Sequence, residues 1–363
     1  MSIPFQGPLA ILGFVGVLVV LVIVHELGHL LVAKWCGMRA ERFSVFFGRP
    51  LWSVTRGETE YAVGWIPLGG YVKISGMVRG EEMPPEVEPR AYYNQTTGKK
   101  LATIFAGPAV NIVLAFVLFV VVFWAGIPTA QVVNQIGAVA PDSPAAQIGL
   151  AEGDRITVVQ GAPIEDAEGL RTALEARPDQ RTTITYVDAD GGEVTRTVVL
   201  GSASVDGETV GRLGFQFAAE EGPVERSGPI DGIVDGWDQT IFVVTETGRV
   251  IGSSFVDSEA RGQVNSVVGI GAVSTQLDGV AQWLQFAALI SLALGIFNLI
   301  PILPLDGGHI AVALVERVRG KPLARSVIER ASMVGFAVLM LVFVFALSND
   351  ASLISDIRNG AGP

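Results

Sequence analysis

The sequence is poor in the residues that support redox chemistry or a charged surface. Cys36 is the single cysteine among 363 residues, so no disulfide closes within the chain and a thiolate metal cluster is excluded. Charged residues make up 17 % against 50 % apolar ones, and mean hydropathy is +0.47. That balance excludes an ordinary soluble protein. No Lys or Arg precedes Lys34 and no small-residue cleavage site ends the first apolar run, so the run reads as a retained span and not as a removable signal peptide. A net charge of -11 argues against nucleic acid as a partner.

Long hydrophobic runs are what the chain has instead. Four stretches, at about 9–32, 101–127, 283–304 and 330–350, have the length of roughly 20 residues that a bilayer crossing takes. The expected fold is a polytopic α-helical membrane protein with four transmembrane helices. Ten of the 25 Lys and Arg fall between Lys34 and Lys100, and Arg317, Arg319, Lys321, Arg325 and Arg330 crowd the last short connection. Both basic connections are therefore expected in the cytoplasm. Both termini and residues 128–282, which carry most of the negative charge, are expected outside.

Between the first two spans, residues 40–76 are rich in Phe, Val, Tyr and Trp with Gly punctuation, which reads as short strands and hairpins. The segment is too apolar for an ordinary loop, and non-helical backbone at membrane depth survives only where protein or a water-filled cavity covers it. A membrane-dipping β-hairpin or small sheet beside the first helix is expected; a soluble cytoplasmic hairpin is the competing reading. The stretch EEMPPEVEPR follows as a charged, Pro-rich surface loop. In residues 128–219, short apolar runs alternate with turn signals, describing a compact, mainly β module. AEGLRTALEAR supplies its one amphipathic helix, and RTTITYVDADGGEVTRTVVL reads as a hairpin turning at residues 190–192. Residues 220–282 are an acidic, Gly-rich linker region in which GWDQTIFVVTETGRVIGSSF has the pattern of an amphipathic helix lying on the outer membrane surface. Residues 1–127 and 283–363 supply the two pairs of spans.

Against this background the first span carries VIVHELGHLL. On a helix His25 and His29 are i and i+4, sharing one face where a single Zn²⁺ accepts both. Glu26, one residue on, reaches a metal-held water without entering the coordination shell, the HExxH arrangement of metalloproteases. Ionisable groups inside a bilayer are costly and functional by default. With Lys34 marking the boundary, the motif lies on the order of 10 Å inside. Two of the three histidines in the chain are these. A catalytic zinc needs a third protein ligand and an open fourth position. The third segment offers GIFNLIPILPLDGGHIAVALV, whose Pro301, Pro304, Gly307 and Gly308 forbid one continuous helix, so its exposed backbone must line a cavity or be covered by protein, and the one candidate cavity is the metal site. Asp306 and His309 compete as the ligand, and spacing does not decide between them.

Two resemblances follow from these motifs. SPAAQIGLAEGDRI, then one helix, one hairpin and RLGF, resembles a bacterial PDZ domain in the circularly permuted arrangement. An extracytoplasmic α+β PDZ domain is implied, with Leu213, Gly214 and Phe215 at the groove that holds an extended peptide ligand; a size-limiting cap with an unused groove is the alternative. Ile148 departs from the usual Ala before Gly-Leu. HELGH, GGYVKISG, AGPAVN, the PDZ-like module and NLIPILPLDGGH, in this order, resemble the site-2 protease family of intramembrane zinc metalloproteases, in its RseP-like bacterial branch. The resemblance implies one Zn²⁺ per chain on His25, His29 and Asp306, Glu26 as catalytic carboxylate, and Asn298 contacting the substrate backbone. It places His309 and Asn111 as supporting groups around the ligands, and Gly107 at a close helix contact. An open strand edge of Gly69, Gly70, Tyr71, Val72, Lys73 and Ile74 would present the unwound substrate. The implied partner is a membrane-spanning protein already shortened on its outer side, such as an anti-sigma factor, in a bacterial cell membrane. Two rivals remain: a membrane-anchored PDZ scaffold with a structural metal, which would need both Asp306 and His309 as ligands, and a metal transporter, which would need polar groups along several helices.

Overall fold

The computed structural model describes residues 8–77, 80–141, 143–205, 208–254, 267–277 and 279–358. The four apolar runs form α1 (Pro8–Trp35), α2 (Thr97–Ala125) and, near the C-terminal end, α7 (Val280–Asn298) and α9 (Arg325–Arg358), the third run being helical only as far as Asn298 and not to 304; a further helix, α8 (Asp306–Arg319), follows α7. Four of them, α1, α2, α7 and α9, are long and apolar enough to cross a membrane, and the chain is a multi-pass membrane protein. Leu, Val, Ile and Phe remain exposed along α9 and on the outer faces of α1 and α2, as lipid-facing surfaces require.

The strand-rich stretch after α1 folds into β1 (Ala40–Arg56) and β2 (Thr59–Ile74), both bent. In β1, Arg42 to Val45 pair on one side with Glu60 to Val63 and on the other with Gly70 to Lys73. The lateral order is therefore 50–56, 59–64, 42–47, 69–74, and among the described residues no strand pairs with the outer edge of 69–74. Phe43, Val45, Tyr61 and Val72 pack on Leu27 and Leu30 of α1. Apolar side chains on this sheet thus find their cover on the helix that carries the HELGH motif.

The chain divides into two compact units, Met1–Gly126 with Arg226–Pro363, and Ile127–Glu225. The second unit holds a four-stranded antiparallel sheet in the order β5 (Ala162–Pro163), β4 (Arg155–Val159), β6 (Arg181–Val187), β7 (Glu193–Val199). Two further pairs complete it: β3 (Ile127–Val139) with β10 (Phe215–Glu225), and β8 (Gly201–Val205) with β9 (Glu208–Arg212). Helix α4 (Ala167–Glu175) buries Leu170 and Leu174 against Ile136, Ile156, Ile184 and Leu213. A short turn of helix, α3 (Pro144–Gln147), is capped by Ser143. Pairing of Ile127 with Glu225 carries the unit six residues past the expected end at 219.

Helix α5 (Asp231–Ser254) occupies the stretch expected as a surface-lying helix. It is helical, but it packs alongside α2. Trp237 meets Phe116 edge to face, Gly236 abuts Val120, and Val243 and Val244 join Ala115, Phe119, Ala288 and Leu292 in one apolar cluster. The small residues Gly232 and Gly236 allow this approach, which the amphipathic pattern alone does not reveal. Helix α6 (Val267–Val273) precedes α7.

Candidate metal centre and active site

Three backbone features converge on the HELGH motif. Helix α1 places His25 and His29 one turn apart, both buried. Helix α2 crosses α1 at Gly28, where a β-carbon would sit 2.6 Å from the Ala106 carbonyl and 3.2 Å from the Gly107 Cα. Only a glycine-to-glycine crossing brings the backbones this close. After Asn298 the chain leaves helical geometry through a turn holding Pro301 and Pro304, and restarts as α8 at Asp306. Gly307 and Gly308 lie directly against the backbone of Leu299, Ile302 and Leu303, so the first turn of α8 folds under that loop and presents Asp306.

The result is a triangle of ligand atoms. His25 Nε2 lies 3.1 Å from Asp306 Oδ2, His29 Nε2 lies 3.2 Å from the same oxygen, and the two Nε2 atoms are 3.2 Å apart. Tetrahedral zinc with bonds of ~2.0–2.1 Å separates its ligands by about 3.3 Å, so the spacing suits that ion. Chemistry agrees with geometry. His29 Nδ1 lies 2.9 Å from the Thr103 carbonyl oxygen, which only accepts, so Nδ1 carries the proton and Nε2 offers a lone pair. That lone pair faces a carboxylate and a second imidazole nitrogen, an electron-rich cluster that a cation stabilises. At Gly107 an added β-carbon would fall against His29 Nε2 and 2.8 Å from His25 Nε2, so this glycine keeps the space beside both ligands open. Among the described residues, His25, His29 and Asp306 are the group able to hold a metal. His309 is not in it.

Around the triangle lies a cavity of about 230 Å³ whose wall includes Glu26, Tyr71, Val72, Asn298 and His309. It adjoins a mostly apolar chamber of about 860 Å³, and Tyr71, Val72, Ile74, Met77 and His309 line both. Three of these shared residues belong to the unpaired edge of β2, so the open strand edge borders the cavity that holds the ligands. A β-carbon at Gly70 would stand 3.4 Å from Glu26 Cγ, which measures how closely β2 approaches the carboxylate. Gly69 has a left-handed φ of +91°, turning β2 from one half to the next. Lys73 is less available than its place on the edge implies. Its Nζ is 2.7 Å from both Glu41 and Glu81, and these two carboxylates push its pKa above the usual ammonium range.

Asn298 donates Nδ2–H to the Leu294 carbonyl at 2.9 Å and still faces the cavity with the rest of its amide. Asn111 is wholly buried on α2, 3.5 Å from His25 Nδ1. Leu213, Gly214 and Phe215 lie in the other unit. The Leu213 and Gly214 carbonyls accept from Ala145 and Ala140, and Phe215 opens β10 opposite Val139. Thr103 and Gly28 were not singled out by the sequence motifs. Gly28 sits inside HELGH and carried a readable signal as a small residue in a buried span. Thr103 acts through its carbonyl, which every residue type possesses, so no sequence signal marks it.

A polytopic membrane chain with a buried His-His-Asp cluster on an HExxH helix is the architecture of an intramembrane metallopeptidase. The family model for peptidase family M50 matches residues 13–342, and the chain belongs to that family, the site-2 protease type of zinc metalloendopeptidase. It is 33 % identical over 342 residues to zinc metalloprotease Rip1 of Mycobacterium tuberculosis, covering 82 % of this chain and 83 % of the relative. Rip1 of Mycolicibacterium smegmatis is 33 % identical over 349 residues, covering 83 % and 84 %. A Rhizobium meliloti protein provisionally described as a zinc metalloprotease is 35 % identical over 357 residues, covering 93 % and 95 %.

Proposed function

We propose that this protein performs regulated intramembrane proteolysis, cutting the membrane segment of single-span proteins that a first protease has trimmed on the outer side. Membrane-bound anti-sigma factors are the expected substrate class. The observation that carries the reading is the junction of an unpaired β2 edge with the cavity holding Glu26 and the His25, His29 and Asp306 triangle. A helical substrate hides its carbonyls in internal hydrogen bonds and must unwind before hydrolysis. Gly69, Gly70, Tyr71, Val72, Lys73 and Ile74 offer backbone groups to the unwound segment, adding it as a strand beside the site. Lys73 takes part through its backbone, since its ammonium is engaged by two carboxylates.

His25, His29 and Asp306 would hold one Zn²⁺, which when bound supplies a Lewis acid for the scissile carbonyl and lowers the pKa of water. Glu26 accepts the proton of the attacking water at its carboxylate and returns it to the departing amine. Asn298 orients the substrate backbone with its amide. His309 shapes the wall shared with the larger chamber, so it supports the site from outside the ligand set. The outer unit acts as a PDZ domain with Leu213, Gly214 and Phe215 at its peptide groove, and it admits substrates only after their outer domains are gone. The sheet of β1 and β2 dips into the membrane from the cytoplasmic side.

The decisive experiment is Glu26→Gln in the full chain. Cleavage of a trimmed single-span substrate should fall by ~10²–10⁴-fold, the usual weight of a positioned acid-base group, with zinc content unchanged. Retained cleavage would remove Glu26 from the mechanism. Orientation is read by engineered cysteines replacing Arg56 and Asp190 in a Cys36→Ser background; an impermeant thiol reagent added outside should label only position 190.

A further inference from the structure

His25 presents a problem that His29 does not. His29 donates Nδ1–H to the Thr103 carbonyl, which leaves Nε2 free for a metal. His25 can offer its Nε2 lone pair only if its own Nδ1 bears the proton, and a buried N–H needs an acceptor. The group beside Nδ1 is the Asn111 amide, with Nδ2 at 3.5 Å, an arrangement that sets donor against donor. Meanwhile Asn111 Oδ1 is buried with no hydrogen-bond partner. Turning the amide by half a rotation sets Oδ1 against Nδ1–H and gives that oxygen its donor; amide O and N are nearly equivalent in shape and their placement follows from the hydrogen-bond network. Asn111 is held for this task from a third helix: Ser291 donates Oγ–H to the Asn111 backbone carbonyl at 2.8 Å, and Gly295 of α7 lies so close to α2 that an added β-carbon would stand 3.0 Å from the Pro108 carbonyl oxygen and 3.6 Å from the Asn111 β-carbon.

We infer that Asn111 is the positioning residue of the metal site: its amide oxygen accepts Nδ1–H of His25, fixing the tautomer whose Nε2 binds zinc. This rests on the reading that His25, His29 and Asp306 hold the ion. It also links α7, α2 and α1 in one chain of contacts ending at a ligand. Second partners of this kind typically govern metal affinity by 10–100-fold.

The test is zinc affinity of the full-length protein in detergent, read as metal retained against graded chelator, for wild type, Asn111→Asp, Asn111→Leu and Asn111→Ala. Aspartate only accepts, so Asn111→Asp should bind zinc as tightly as wild type or more so. Leucine and alanine remove the acceptor and should weaken binding by ~10–100-fold. Leucine keeps the volume and alanine lowers it, so a packing defect separates from a lost hydrogen bond when helicity and thermal unfolding are followed alongside. The wild type supplies an independent reading free of folding effects: in the ¹⁵N-histidine spectrum of the zinc-loaded protein, Nδ1 of His25 should be protonated. An unprotonated Nδ1, unchanged affinity in Asn111→Leu, or a loss in Asn111→Asp equal to that in Asn111→Leu overturns the inference. Failure of the wild type to bind zinc at all overturns the metal reading instead.

Discussion

The two units bury different things. In the β-rich unit the interior is Ile136, Ile156, Leu170, Ile184, Leu200 and Leu213, and its buried polar side chains serve the backbone: Asp154 accepts from Ala151 and Ala189, and Ser143 from Ala146. In the membrane unit the outside is apolar, and His25, His29, Thr103, Asn111 and Ser291 are sealed within. Water drives the first arrangement through the hydrophobic effect. Lipid gives no such drive, so helices there associate through close small-residue contacts and internal polar bonds. The difference teaches that the polar interior of the membrane unit serves two ends, since the groups that hold α1, α2, α7 and α8 together also compose the metal site.

The sharpest way to break this comparison is to remove a ligand. Asp306→Ala should lose bound zinc while His309→Ala keeps it, as measured by metal content after gel filtration. Loss in the second with retention in the first would reverse the assignment and reinstate His309 as ligand. Next comes a core deletion in the β-rich unit. Leu170→Ala should lower the stability of that unit by ~2–5 kcal/mol, visible as an earlier denaturant transition, with zinc content untouched. A matching loss of zinc would mean that the two kinds of burial are coupled. The smallest effect sharpens the contrast within the membrane unit. Gly107→Ala adds one methyl group between both ligand nitrogens, and zinc affinity should fall by ~10–100-fold with helical content preserved. Unaltered affinity would show that the ligands yield freely and that the close crossing serves packing alone.

Much of this is legible in the sequence. Run lengths gave four spans because bilayer thickness sets a threshold that composition meets or misses. HELGH gives two of the three grouped ligands because an i, i+4 pair on a helix shares a face whatever surrounds it. Alternation and turn residues gave the hairpin of β6 and β7, closed by Asp188 accepting from Gly192. Sequence pattern stopped at α5, whose amphipathic face suggested an outer surface, because glycines at 232 and 236 read as weak helix positions until Trp124 and Val120 are seen against them.

By itself, then, the sequence determined what is local: spans, turns, the motif histidines, and a broken third segment with two candidate ligands. Spacing leaves Asp306 and His309 open and the family resemblance implies Asp306; the tertiary structure supplies the physical reason, since the two lie three residues apart on α8 and differ in where the Leu299 to Leu305 turn points them. It alone brought Asp306 to histidines 281 and 277 residues away, left the β2 edge open toward the cavity, and set Asn111 behind His25. Such contacts depend on how helices cross, and a crossing is fixed by the shapes of several surfaces together, which no single stretch of chain records.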